Sequence, residues 1–504
     1  MTVEKGYDKM KKRLLALLSV LCVASALAAC SQEPAQSEVQ SGVSVGSVES
    51  DAASQAPDVS EVSGTGETSA ENSGGTTGPS GATQGPGGKT TTAKTTTPAG
   101  KEPSGNVDLW NAKFPGVKLK RIIWYNMSKE EEKMVKDFEA KTGCSITDVK
   151  VDYENLEEKI KASMTSGDVI DIGWIYGAFY PTSIINNMYQ SIDAYIKKDY
   201  LVDTKSSASL AKGGFDMTKM DSYKWNSHYY GFCSYWDVDM LVLYYNKQMF
   251  TQAGVDTPLQ MVQDGDWSLE TFYDTAAQLT DPDKGVYGFS SGGQNTNSAS
   301  NAILEAFGTQ VIKYDSNRNP TQNLGDSRVA TALDFIKKMY NGSTKVIDSK
   351  ATFYNGKAAM CIDGLYMIPK MLADSTVPGV VKNNWEIAPI PLAKANKSGA
   401  YPVDWLKATG IVRGSKNPDA VAAFALFKSK YKGDNLYEEK MSKAQIDRIT
   451  PYYKNIMYAN YGYGTVPKLY ADIMNTAMAG GDVTQAISKN KPLFQAQINA
   501  VLKK

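Results

Sequence analysis

Reactive chemistry needs particular side chains, and this chain of 504 residues is short of most of them. Its one histidine, His228, would have to carry any Ser-His-Asp triad alone, and a histidine-rich metal site is excluded. His228 sits in WNSHYYGF, which reads as a polar aromatic surface loop. Beyond Cys30 the cysteines are Cys144, Cys233 and Cys361, an odd, widely spaced trio that makes neither a disulfide framework nor a CxxC zinc pattern. DSNRNPTQNLGD, Asp315 to Asp326, sets oxygen-bearing residues in the rhythm of a calcium loop, but Pro320 stands where the turn needs glycine and Asp326 where glutamate is wanted. GPGGKT, Gly85 to Thr90, lacks the first glycine of a phosphate loop and the strand and helix around it. No metal or cofactor is expected. What the chain does have is rings with polar handles: 29 Tyr against 14 Phe, and 8 Trp, all at or beyond Trp110. Such rings suit a half-wet cleft that holds a solute.

The formal charge is zero, which excludes the strong basic field of a nucleic-acid binder. From Trp110 onward the composition is globular, and the elements alternate. LKRIIWYN, Leu119 to Asn126, suits a buried strand. Ser128 with Glu131 is a capping-box signal for a helix with Met134, Val135 and Phe138 on its apolar face, ended by Gly143. SITDVKVDY is a second strand, Asn155 to Thr165 a helix, and VIDIGWI, Val169 to Ile175, a third strand. Strand–helix alternation implies a parallel sheet covered by helices, hence an α/β class. Further helices are expected through Leu269, Phe272, Ala276 and Leu279, through Val329, Leu333, Ile336 and Tyr340, and from Asn417-Pro418 onward. A globular part this long exceeds one ordinary core, so two lobes are expected.

Before the globular part, Lys11, Lys12 and Arg13 precede an uncharged apolar run from Leu14 to Ala29, too short for a comfortable bilayer span of about 20 residues. That is the layout of a secretory signal, with Met10 a more natural start than Met1. Leu27-Ala28-Ala29-Cys30 resembles the lipobox of bacterial lipoproteins, which implies cleavage before Cys30 and a lipid on its thiol. Residues 1–29 are thus expected to be a lipoprotein signal peptide. From Ser31 to Asp108 there is no Leu, Ile, Met, Phe, Trp or Tyr. Such a Ser/Gly/Thr/Pro segment cannot bury enough apolar surface to offset its ordering entropy, and 30–108 reads as a lipidated disordered tether. Its mean span as a flexible coil is about 50 Å.

The motifs KRIIWYNMSKEEEKMVKDFEAKTG, SGDVIDIGWIYG, YYGFCSYWDVDMLVLYYNKQMFTQAGVDTP, DWSLETFYDTAAQLT, FYNGKAAMCIDGLYMIPK, NWEIAPIPL and IVRGSKNPDAVAAFALF occur in that order. Together they resemble the extracellular solute-binding proteins of family 1, the capturing subunits of ABC importers, many of which take sugars. The resemblance covers Leu119 to Lys504. It implies a periplasmic-binding-protein-like Venus flytrap with parallel-sheet lobes: a solute-binding domain over 109–504, lobe 1 roughly 118–238 and 411–450, and lobe 2 roughly 241–406 and 455–504. Three hinge crossings would fall near Asp237 to Leu241, Asp404 to Ile411 and Thr450 to Tyr461. It also implies an ABC permease as partner and, with the lipobox, a monomeric protein on the outer face of the cytoplasmic membrane of a Gram-positive bacterium.

Open α/β sheets place ligands beyond the carboxyl ends of their strands, and pockets favour domain interfaces. The expected ligand-binding residues are therefore Tyr125 and Asn126 after the first strand, and Trp174 and Tyr176 after VIDIG. At the first crossing they are Tyr235, Trp236, Asp237 and Asp239. Asp363, Gly364 and Tyr366 lie in CIDGLY, and Asp404 and Trp405 at the second crossing. A pyranose offers an apolar face for rings and a hydroxyl rim for carboxylates and amides. Tyr366 stands where sugar-binding members of the family often carry Trp, which leaves a smaller platform. Trp110, Trp225, Trp267 and Trp385 read as packing. The function expected is capture of a carbohydrate, an oligosaccharide, with no catalytic residue. The alternatives are a lipid-anchored glycoside-processing enzyme using two carboxylates such as Asp237 and Asp363, and a binder of a non-sugar solute. A purely structural surface protein would explain the tether but not the ordered motifs.

Overall fold

The computed structural model describes residues 100–503 other than 291–295, 316–317, 432–439 and 459. The apolar leader, Cys30, GPGGKT and the polar segment up to residue 99 lie outside the described residues. The last stretch of that segment is placed. Lys101 N–H donates to the Ser415 carbonyl at 3.1 Å, and the Ser104 hydroxyl donates to Asp419 at 3.0 Å. Polar contacts, which composition does not register, thus tie the chain down ahead of Val107 and Leu109, which reach the core.

Fifteen strands are described: β1 Lys118–Ile123, β2 Ser145–Lys150, β3 Ile172–Ile175, β4 Lys224–Trp225, β5 His228–Tyr229, β6 Gly231–Phe232, β7 Val238–Asn246, β8 Tyr287–Ser290, β9 Ile312–Tyr314, β10 Pro320–Gln322, β11 Ala358–Gly364, β12 Trp385–Ala388, β13 Tyr401–Leu406, β14 Ala408–Ile411 and β15 Ile456–Met457. They build two lobes. The lobe 1 sheet runs β2-β1-β3-β14-β6 and the lobe 2 sheet β15-β13-β7-β11-β8, with β12 also on β7. Parallel strands are present, β1 with β2 and β3, and β8 with β11. The strands next to the crossings reverse this direction. β14 runs antiparallel to β3 and β6, and β7 runs antiparallel to β11, β12 and β13. Each sheet is therefore mixed; in lobe 1 the reversed strand is β14, which follows β13 of lobe 2 directly, and in lobe 2 it is β7.

Local signals act where the residues require. Ser128 accepts the Glu131 N–H and starts the helix Lys129–Thr142, and Gly143 ends it in the left-handed region at φ 78°. The Glu131 carboxylate does not complete the box. It turns to Arg121 at 3.0 Å and to the Tyr125 hydroxyl at 2.8 Å, because a fully buried guanidinium needs anions more than a helix end does. Helices Leu269–Gln278, Ser327–Asn341 and Pro418–Lys430 form over the predicted apolar stripes.

β7 is buried along all nine residues. Val242 and Tyr244 join one core, whereas Leu241, Leu243 and Tyr245 join the second beneath helices Thr296–Ala306, Ser327–Asn341, Val466–Met478 and Val483–Leu502. The chain passes between sheets after β6, and again between Leu406 and Ala408. Helix Lys443–Ile449 lies against lobe 2, with Gln445 and Arg448 donating to Glu386 of β12 at 2.8 and 3.0 Å.

Candidate functional site

The end of β1 and the end of β3 bring rings together. Trp124 meets Tyr125 at 4.9 Å, Tyr176 at 5.1 Å and Tyr153 at 5.9 Å between centroids, all edge to face. Phe179 stands 5.5 Å from Tyr153. Tyr125 is half-buried and held by Glu131, while Asn126 is exposed and accepts from the Lys150 ammonium. Trp174 lies deeper: it is buried, and its indole N–H donates to the Ile122 carbonyl at 2.7 Å.

Lobe 2 supplies carboxyls. Asp363, at the end of β11, is buried and accepts the Tyr354 hydroxyl at 3.0 Å, the Tyr366 hydroxyl at 3.3 Å and the Gly364 N–H at 2.8 Å. Gly364 is required here, since a Cβ would come within 2.2 Å of the Tyr366 ring. Burial, then Asp404 and Asp363, push the Tyr366 phenol well above its usual range, so Tyr366 is a donor with acids on its flank. Asp404 is partly buried on β13. Trp405 stands opposite Asp239 across an irregularity of the β13–β7 pairing, and its side chain lies outside the description.

The acids of the first passage point elsewhere. Asp237 is buried and paired with the Lys428 ammonium of helix Pro418–Lys430. Burial alone would raise its pKa, but Lys428 outweighs that and holds the carboxyl below the ordinary range. Asp239 is buried 3.0 Å from Lys407. Tyr235 and Trp236 are in a ring cluster with Tyr453, at 5.9 and 5.2 Å, and the Lys219 ammonium lies 4.3 Å from the Tyr235 ring centre.

Six further residues gather here without having been singled out above. Trp124 and Tyr153 complete the ring group. Asn301, Glu305, Tyr458 and Tyr461 line a cavity of about 50 Å³ with Leu241, Ala302, Val403 and Asp404. Tyr458 and Tyr461 stand in or beside the segment expected to make the third crossing, so a signal existed for them. That segment is bonded to both lobes: β15 pairs with β13 of lobe 2, while Gly177 N–H of lobe 1 donates to the Tyr458 hydroxyl at 2.7 Å and Tyr461 N–H to the Gly177 carbonyl at 2.8 Å. Glu305 sits inside a helix and carried no signal. The calcium-like loop forms a hairpin of β9 and β10 ahead of helix Ser327–Asn341. Asp326 caps that helix and pairs with Arg328 at 2.6 Å, and positions 316 and 317 lie outside the described residues. Among the described residues no group of three His, Cys, Asp or Glu could hold a metal ion, and no helix is long and apolar enough to cross a membrane. His228 is exposed beside Asp193.

Two lobes with polar and aromatic groups gathered where the chain passes between them define a two-lobed binding protein of the periplasmic-binding-protein type. The chain belongs to the bacterial extracellular solute-binding protein family, whose model matches residues 125–428. No curated protein matches it. Among solved structures it is similar to the sugar-binding protein MalE of Xanthomonas citri, at 14% identity and TM-score 0.60 over 76% of this chain and 98% of that one. It is also similar to an ABC substrate-binding protein of Listeria monocytogenes in complex with cycloalternan, at 15% identity and TM-score 0.58 over 76% and 99%. The GacH receptor of Streptomyces glaucescens, solved unliganded and with acarbose, matches at 17% identity and TM-score 0.57 over the same shares.

Proposed function

We propose that this protein captures a carbohydrate, an oligosaccharide, between its lobes and hands it to an ABC permease without altering it. The observation that carries the reading is the pairing of an edge-to-face ring group at the ends of β1 and β3 with carboxyls on β11 and β13. Rings take the apolar face of a pyranose and carboxylates its hydroxyls. Cycloalternan and acarbose in the similar proteins from Listeria and Streptomyces support the same class of solute. A solute that touches both walls favours the closed arrangement over the open one.

In this reading Tyr125, Asn126, Trp174, Tyr176, Asp363, Gly364, Tyr366, Asp404 and Trp405 form the ligand-binding set. Tyr235, Trp236, Asp237 and Asp239 belong to it from behind, by fixing the first passage through Lys219, Lys428 and Lys407. The protein acts as a monomer, tethered outside the cytoplasmic membrane by a lipid on Cys30. The lobes follow the ranges given by the sequence resemblance, except that helix Lys443–Ile449 goes with lobe 2 through Glu386.

A thermal-shift panel on the tether-free domain tests this, using maltotriose, chitobiose, lacto-N-biose, galacturonate and spermidine. A neutral oligosaccharide should raise the melting midpoint and leave the sugar intact by chromatography. Cleavage of any panel sugar would favour the glycoside-processing alternative, and a response to spermidine alone would favour a non-sugar solute.

A further inference from the structure

Glu305 is one turn beyond Asn301 on helix Thr296–Ala306, so both side chains reach the same cavity. That helix packs on β13, which brings Asp404 to the cavity from a second element, and Tyr458 and Tyr461 close it from a third. About 50 Å³ is room for a hydroxyl or hydroxymethyl group but not for a sugar ring. Glu305 is only 4% exposed. Its Oε1 is met at the edge of hydrogen-bond reach, by the Gln310 amide at 3.4 Å and the Tyr461 hydroxyl at 3.5 Å. The groups facing it are Asp404 from β13, Tyr461 from the crossing segment, Tyr470 from helix Val466–Met478 and Gln310 from the following loop. None of these is a cation.

We propose that Glu305 is a specificity-determining residue of the cleft, presenting a neutral carboxyl that donates a hydrogen bond to a solute hydroxyl and thereby favours an uncharged polyhydroxylated solute over an amine. Two acids on one small cavity do not both ionise readily, and Glu305 is the more deeply buried of the two. Burial, with a smaller push from Asp404, raises the Glu305 carboxyl to about 8, which agrees with that geometry. An acid donor beside a carboxylate acceptor matches a hydroxyl, which gives one hydrogen bond and takes another. An ammonium ion has donors only and cannot accept the hydrogen bond of a neutral Glu305, so Glu305 would first have to release its proton to solvent.

The inference rests on the carbohydrate reading, and the test separates the two. Calorimetry with the panel sugar that gives the largest thermal shift, run in two buffers of different ionisation enthalpy, should show uptake of roughly half a proton near pH 8. Affinity should be level from pH 5.5 to 7 and fall about tenfold per pH unit above 8. In Glu305→Gln, which carries a permanent donor, the ratio of affinities at pH 7 and pH 9 should be close to one, whatever the absolute affinity. A wild-type profile that is flat, or one that Glu305→Gln reproduces, overturns the proposal while leaving sugar binding intact. If no panel sugar binds at any pH, the carbohydrate reading fails and, with it, the selection of sugars by Glu305. The solute-free protein then still reports on the carboxyl itself. Since the folded pKa is raised, stability is full below the unfolded value and is lost as pH rises toward about 8. The wild-type melting midpoint should fall over that range and that of Glu305→Gln should fall less; equal slopes overturn the neutral-carboxyl assignment. If Glu305→Gln does not fold, absence of proton uptake by the wild type near pH 8 overturns it equally.

Discussion

Lobe 1 meets the cleft with rings packed edge to face on one another, Trp124 against Tyr125 and Tyr176, whereas lobe 2 meets it with carboxyls, each in its own hydrogen-bond setting. The ring wall takes its shape where the ends of β1 and β3 lie side by side in one sheet, so that Trp124 meets Tyr176. The acid wall mixes scales: Tyr354 and Tyr366, 9 and 3 positions away, hold Asp363, whereas helix Thr296–Ala306 brings Glu305 to the distant strand β13. Rings give non-directional burial and tolerate a shift of the solute. Carboxyls demand partners at fixed distance and so carry discrimination. On this contrast, damage to the ring wall should weaken binding broadly, and damage to the acid wall should change which solute is held.

The largest effect is expected behind both walls. Lys428→Met leaves Asp237 buried without its cation and should cost about 3–5 kcal/mol of stability in urea denaturation. Adding Asp237→Asn should recover a substantial part. No recovery would show that Lys428 acts through packing rather than through the pair. Next, Asp363→Asn should weaken binding of the responsive panel sugar by about 10–100-fold by calorimetry, because an amide replaces a charged acceptor held by three donors. An equal loss for every sugar would make Asp363 part of general shape rather than of discrimination. The smallest effect belongs to Tyr366→Trp. It enlarges the platform but removes the hydroxyl that reaches Asp363, so the two changes offset and the net shift should stay within about 1 kcal/mol. A gain only for longer sugars would break the contrast by giving lobe 2 a stacking role of its own.

The ring wall was also the more legible of the two. Strand ends followed by Tyr125-Asn126 and by Trp174 and Tyr176 stand out in the sequence because apolar runs stop there. Ser128 and Gly143 mark one helix by local chemistry alone. Asp237 and Asp239 stand out too, but their lysine partners do not. Lys428 is 191 positions away, and only the folded passage brings it to Asp237. Glu305 was illegible for a related reason. A glutamate inside a helix reads as solvated face, and it is buried here because the helix lies on β13, a strand roughly a hundred residues later.

The strand order of lobe 1 bears on how the molecule is made. β14 occupies a place between β3 and β6, yet it is built from residues 408–411. A nascent chain that has delivered everything up to Phe232 therefore holds a sheet with a missing interior rung, and most of lobe 2 must emerge before the gap can be filled. Cooperative locking of the lobe 1 sheet is therefore expected only after residues 408–411 have been made.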